Sequence, residues 1–164
     1  CWTRNKTMGK QSAKQYFPNA EGIDHHNGLL FFVNKKLRQL YVLDLHKETY
    51  TQRGTLHRKF DGQPDQILHA IDPYNKEGLI YFTKEGGKNA AGIYAQTMGG
   101  RKFAILEGGN GISNESTGFA ICDRGRKLIM AYEDKGCLYM IQRQDGQRFE
   151  GSAVDLKYHE HGAK

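Results

Sequence analysis

The sequence is poor in the residues that interrupt or cross-link a chain, with three prolines and three cysteines among 164 residues. Three cysteines are too few for a disulfide-stapled scaffold of this size. No apolar run approaches the roughly 18 residues that a membrane-spanning helix needs, so we expect no membrane span. Aromatic residues make up 11% of the chain and charges of both signs are mixed, which excludes a disordered protein. What remains is a folded chain with the length of one ordinary domain.

The formal net charge of +6 raises the question of a nucleic-acid partner. The densest basic stretches, 34–38 and 124–127, are short and fall where we predict turns between strands. None of the usual nucleic-acid-binding modules is visible. We therefore expect no nucleic-acid partner, and the excess charge favours only a general attraction to acidic partners.

Two of the cysteines border a predicted strand. Cys122 ends the apolar segment 118–122 and Cys137 opens the segment 137–142. With a third strand between them, their Cα atoms would lie about 9–10 Å apart. A disulfide requires less than about 7 Å, so the sequence predicts two buried free thiols.

A repeat is the most informative feature of the sequence. Three short apolar runs follow one another at intervals of 50 and 49 residues. Each run follows a turn signal and precedes a strand centred on a tyrosine, namely Tyr41, Tyr94 or Tyr139. The runs are Leu29–Val33, Leu79–Thr83 and Leu128–Tyr132.

Each repeat predicts four short strands. A first strand precedes each apolar run, and a more polar fourth strand follows each tyrosine strand. The first strands are predicted at 20–23, 64–67 and 115–119, and the fourth at 49–53, 101–106 and 148–156. Four antiparallel strands with a period near 50 residues are typical of a β-propeller blade. A β-sandwich is the competing all-β fold, and no segment has the apolar periodicity of a helix.

The predicted architecture is an all-β propeller segment of about three four-stranded blades. Residues 1–16 form a lead-in, the end of a preceding blade or a strand that closes one; the blades are 17–58, 59–110 and 111–158, with a tail at 159–164. Propellers close with four to eight blades. We therefore expect the segment to belong to a larger propeller, completed by further residues, a second copy or another protein subunit.

The blades resemble known propeller families. The sequence of 21–24, 29–33 and 40–44 looks like a blade of the six-bladed lactonase and regucalcin type. The segments 64–94 and 115–131 are similar to calcium-dependent phosphatases of the PhoX type, and the chain as a whole looks like propeller proteins of diatoms and related algae. The resemblance implies an ancestor that held a divalent metal, and it favours a secreted or organelle-lumen location. The third blade departs from the phosphatase pattern, because 120–125 reads Ala-Ile-Cys-Asp-Arg-Gly where that pattern has Ser-Pro-Asp-Gly.

One set of side chains predicts a metal site. Glu21, Asp65 and Glu115 occupy what the repeat makes the same place in each unit, at the start of the innermost strand. Three converging carboxylates repel one another unless a cation or protons compensate their charge. Carboxylate oxygens suit Ca²⁺ or Mg²⁺, and the amide oxygens of Gln66 and Asn114 could complete the shell. The alternative is that these side chains cap strand ends and bond to the neighbouring backbone.

The resemblance to regucalcin implies a ligand role only for Glu21. The histidines near the carboxylates, His25, His26 and His69, are expected to serve turns or packing. Two functions follow. The first is a non-catalytic binding or scaffold module within a larger assembly. The alternative is part of a divalent-metal-dependent hydrolase of phosphoesters or lactones, with catalytic residues that the sequence does not identify.

Overall fold

The computed structural model describes residues 3–56, 60–70, 78–87, 91–108 and 115–149. The described chain is mostly β-structure, arranged as three antiparallel sheets in which consecutive strands are neighbours. Sheet 1 contains β1 (Ala20–His26), β2 (Leu29–Asn34), β3 (Gln39–Asp44) and β4 (Thr49–Gly54). Sheet 2 contains β5 (Gln63–Ala70), β6 (Leu79–Glu85), β7 (Gly92–Thr97) and β8 (Lys102–Glu107). Sheet 3 contains β9 (Ser116–Cys122), β10 (Lys127–Tyr132) and β11 (Cys137–Gln142).

The turn signals in the sequence form the hairpins. Asn27 and Gly28 join β1 to β2 with φ values of 46° and 75°. A two-residue turn with both residues at positive φ matches the twist of the two strands that it connects. The basic stretches also lie at turns, since Lys35–Arg38 joins β2 to β3 and a short 3₁₀ turn at Asp123–Gly125 joins β9 to β10. This placement confirms the prediction for these segments.

The three sheets stack in sequence order, each in the same sense. We call the side that carries Tyr41, Tyr94 or Tyr139 the tyrosine face of its sheet, and the opposite side the reverse face. The reverse face of sheet 1 packs on the tyrosine face of sheet 2 through Phe31 and Ile80. The reverse face of sheet 2 packs on the tyrosine face of sheet 3 through Tyr81 and Met130. The first strands adjoin, with β1 against β5 and β5 against β9.

The strand pairing corrects the register of the repeat. Tyr41, Tyr94 and Tyr139 lie opposite Phe32, Phe82 and Met130, which are 50 and 48 positions apart rather than 50 and 49. Because side chains alternate between faces, a shift by one residue exchanges the two faces of a strand. The apolar runs alone placed the third repeat one residue out of register.

The lead-in is a helix, not a strand, so the prediction of strand structure there was wrong. Helix α1 spans Lys6–Tyr16. Its N-cap is Asn5, whose side chain accepts hydrogen bonds from the N–H groups of Thr7 and Met8. Such a cap supplies partners for the first free N–H groups of a helix. The helix buries none of its residues, which is why its sequence has no apolar periodicity. No described helix is long and apolar enough to cross a membrane.

The predicted fourth strand of the third unit does not begin at Arg148, the position that the sequence suggested. Phe149 instead packs against the core between sheets 2 and 3. Its N–H donates to the carbonyl of Gly125, and its carbonyl accepts from the Tyr81 hydroxyl at 2.6 Å. A partly buried aromatic side chain and two backbone hydrogen bonds thus hold this residue against sheets 2 and 3. The remaining residues of that prediction, 150–156, lie outside the described part of the chain.

Of the described residues, Cys122 and Cys137 are free, as predicted, but not buried. Cys122 is partly exposed and Cys137 is exposed. A strand does lie between them, since Cys122 pairs with Lys127 at one end of β10 and Cys137 with Tyr132 at the other. They therefore lie at opposite ends of sheet 3 as well as on opposite sides of β10.

Candidate functional site: a charged junction between the sheets

The first strands of the three sheets carry a β-bulge at the same place. In β1 the bulge contains Glu21 and Gly22, between the pairs that begin at Ala20 and Ile23. In β5 it contains Asp65 and Gln66. A bulge places two residues opposite one and re-aims their side chains. The structure thus places Glu21 and Asp65 at equivalent positions, as the sequence analysis predicted.

Glu115 does not occupy the equivalent position, so that part of the prediction was wrong. The bulge of β9 contains Thr117 and Gly118. Glu115 precedes β9 and forms an isolated β-bridge with Glu85 at the end of β6. The two-residue difference followed from aligning β9 by its acidic residue instead of by its partner on β10.

The Lys35 ammonium places a positive charge beside the carboxylates for which the sequence predicts a metal ion. The Lys35 ammonium pairs with the Glu85 carboxylate and lies 3.9 Å from Glu21 Oε1. Burial by itself lowers the pKa of Lys35, but the hydrogen bond to Glu85 and the negative charges of Asp65, Glu85 and Glu21 raise it overall. The ammonium therefore stays charged and links sheet 1 to sheet 2.

In sheets 2 and 3, a glutamate occupies the position that Lys35 has in sheet 1. Lys35 and Glu133 directly follow the last residues of β2 and β10, and Glu85 is the last residue of β6. Glu115 lies between sheets 2 and 3, where burial, followed by the charges of Glu85 and Glu133, raises its pKa to about 7. Lys35 counteracts part of this rise. Near neutral pH, partial protonation of Glu115 therefore reduces the negative charge at the junction of sheets 2 and 3, whereas the carboxylates at the junction of sheets 1 and 2 face an ammonium.

A buried serine ties sheet 3 to sheet 2 at this junction. Ser116 Oγ accepts hydrogen bonds from the N–H groups of Lys84 at 3.0 Å and Gly92 at 3.1 Å. Its own hydrogen is within reach of the carbonyls of the same two residues. Ser116 is fully buried, so these bonds replace those that water cannot provide.

Gly22 allows the backbones of β1 and β5 to approach closely at the first junction, which joins sheets 1 and 2. A Cβ atom on Gly22 would lie 2.7 Å from Gln66 Cα and 2.8 Å from the Asp65 carbonyl oxygen. Backbone meets backbone here, with no flexible side chain to yield. The bulges of β1 and β5 are thereby held against each other, which brings Glu21 and Asp65 to the same lysine.

The predicted metal ligands are only partly assembled. Asp65 is buried. The backbone N–H of Gln66 donates to Thr83 Oγ1 at 3.0 Å. Asn114 lies outside the described residues. In the described part of the chain, no three His, Cys, Asp or Glu residues are grouped so that they could hold a metal ion. Calcium binding stays a prediction.

His26 and His69 pack between sheets 1 and 2, as we expected, whereas His25 is exposed. His69 stacks on Phe31 with ring centroids 4.7 Å apart, and its ring lies 5.4 Å from that of His26. Asp24 accepts hydrogen bonds from the N–H groups of His25 and His69. These contacts fasten β1 to β5.

Sequence reasoning missed Lys35, Glu85 and Glu133. A signal was present, because each follows its apolar run by one or two residues, but charged residues at strand ends are usually solvated. Comparison with known protein families finds none whose model matches the sequence. A comparison with curated proteins likewise finds no significant match.

Proposed function

We propose that the chain is a segment of a β-propeller and acts as a non-catalytic binding or scaffold module, to which further sheets are added by a protein partner. The same-sense stacking of the sheets, the adjoining first strands and the repeated bulges support this proposal. So does the resemblance to propeller families described above.

One observation carries the proposal. The reverse face of sheet 3 exposes 77% of Leu138 and 66% of Met140. At the equivalent positions of sheet 2, Ile93 and Ala95 are completely buried against sheet 3. Ala120, Ile129 and Ala131 extend the same face on the neighbouring strands. An apolar sheet face of this kind marks a contact surface.

A photo-cross-linking amino acid at position 140 tests the proposal. The label is introduced into the full chain, which is irradiated both after purification and in an extract of the cells that make it. We expect a covalent adduct with a polypeptide. The same label at Leu37, which is 46% exposed in the β2–β3 turn, is the matched control and should give none. Absence of an adduct at position 140 in both preparations would contradict the proposal.

The alternative, part of a metal-dependent hydrolase, rests on the approach of Glu21 and Asp65 to one charged group. In the structure, that charged group is the Lys35 ammonium. If the alternative holds, Ca²⁺ added to the dialysed protein raises its melting temperature, and Asp65→Asn removes the rise. With no such rise, the scaffold function is the one that stands.

A further inference from the structure

We infer that the partner of sheet 3 is the tyrosine face of sheet 1 in a second copy of the same chain, so that copies associate head to tail. This inference rests on the proposed function and names the occupant of the exposed face.

The described residues form two interfaces between sheets. Both pair the reverse face of one sheet with the tyrosine face of the next. In the described part of the chain, this rule leaves one reverse face without a sheet, that of sheet 3, and one tyrosine face, that of sheet 1. Contact between copies through these two faces continues an interface that the chain already makes twice.

Two equivalent isoleucines show where the tyrosine face of sheet 1 lacks a neighbouring sheet. Ile23 and Ile67 are equivalent, because they pair with Phe32 and Phe82. Ile67 is 6% exposed beneath sheet 1, whereas Ile23 is 64% exposed. The chemistry of the position is unchanged, so the difference comes from the missing neighbour.

The aromatic residues at the centre of the two tyrosine faces also match. Phe60 meets Phe82 and Tyr94 edge to face, with centroid distances of 4.8 and 4.9 Å. Phe17 meets the corresponding residues of sheet 1, Phe32 and Tyr41, at 5.4 and 5.2 Å, also edge to face. Sheet 1 therefore has the same aromatic cluster as sheet 2, with Tyr41 buried beneath Phe17, and Phe32 only partly buried.

The surface of sheet 1 also has room for the side chains of sheet 3. A groove of about 310 Å³ lies beside helix α1. Its apolar lining comes from Phe17, Tyr41, Leu43, Leu45 and Tyr50, and its polar lining from Ser12, Asp44, Glu48 and Thr49. Exposed aliphatic side chains such as Leu138 and Met140 are of the kind that fills such a groove. Helix α1 borders this groove at Ser12 and buries no residue of its own.

Two variants, each with one damaged face, provide the test. Ile23→Glu places a charge on the tyrosine face of sheet 1, and Met140→Glu places one on the reverse face of sheet 3. We expect the wild-type chain to sediment as an assembly of two or more copies, and each variant alone to associate about a hundredfold or more weakly. Leu37→Glu, in a turn away from both faces, should sediment like the wild type.

Mixing the two variants gives the decisive result. Each contributes one intact face, so an equimolar mixture should form a one-to-one pair. A sheet 3 to sheet 3 contact would be insensitive to Ile23→Glu and would not be restored by mixing, which would overturn the head-to-tail inference. A monomeric wild-type chain would also overturn it. The proposed function would survive either result if the label at position 140 still cross-linked to a polypeptide, and would fail without that adduct.

Discussion

The two junctions between the sheets have the same backbone plan but opposite electrostatics. At the first, Lys35 of sheet 1 pairs with Glu85 of sheet 2. At the second, the residues that correspond to this pair are Glu85 and Glu133, and Glu115 lies between them. The comparison teaches that a repeated fold need not repeat its chemistry. The first junction is closed by charge and close backbone contact, and the second by a buried hydroxyl group.

The largest effect is expected from Gly22→Ala at the first junction. The added methyl group would meet the backbone of β5 at Gln66 and Asp65, which cannot move without disturbing the bulge. We expect a loss of about 3 kcal/mol in the free energy of unfolding, measured by urea denaturation. Gly54→Ala, where a Cβ meets nothing within 4 Å, is the control and should cost little. Equal losses in the two variants would contradict close packing at the first junction.

Ser116→Ala tests the second junction. It leaves the buried N–H groups of Lys84 and Gly92 without their hydroxyl acceptor. An unsatisfied buried donor costs about 1–3 kcal/mol, so we expect a loss of about 2 kcal/mol, with faster amide exchange in β9. Ser12→Ala, on the exposed surface of helix α1, should be neutral. Unchanged stability in Ser116→Ala would show that sheet 3 is held by other contacts.

Lys35→Met removes the ammonium while keeping much of the apolar side chain. Glu21, Asp65 and Glu85 then lack the cation that their charges surround. Because the ion pair is only partly buried, we expect a loss of about 1–2 kcal/mol at pH 7. The matched variant Lys47→Met breaks a pair with Asp44 in which the lysine side chain is 77% exposed. That change should stay within about 0.5 kcal/mol, and a larger loss than in Lys35→Met would reverse the comparison.

The smallest effect is a change in pH dependence at Glu115. Its pKa rises from 4.5 to about 7 in the folded protein, so the folded state holds the proton more tightly. The resulting stabilisation is complete below pH 4.5 and is lost as the pH rises to 7. Glu115→Gln should flatten this decline in melting temperature, whereas Glu48→Gln, in an exposed turn, should leave it unchanged. If the melting temperature of Glu115→Gln still declines as the pH rises, other titratable groups cause the decline.

Strands were predictable because each apolar run is bounded by strong turn signals. Asn27-Gly28 and the tyrosine strands mark the hairpins without any tertiary information. Helix α1 was not predictable from periodicity, since it buries no side chain and its signal is confined to the Asn5 cap. The placement of Phe149 depends on a tertiary contact with Tyr81 that no local pattern contains.

The site was predictable only in part, for a related reason. Glu21 and Asp65 were recognised because both start a first strand. The position of Glu115 depended on the pairing of β9 with β10, which puts Thr117 rather than Glu115 at the place of Asp65. The role of Lys35 arises from the approach of sheet 2, so it required the stacking of the sheets to be known.

The central claim is that same-sense stacking continues beyond sheet 3. Electron cryomicroscopy of the native assembly tests it most directly, because the sheets around the axis can be counted. We expect a closed ring of at least four sheets, in which Leu138 and Met140 lie beneath a tyrosine face. An assembly in which these two side chains face solvent, or in which the sheets pair as a sandwich, would contradict the account.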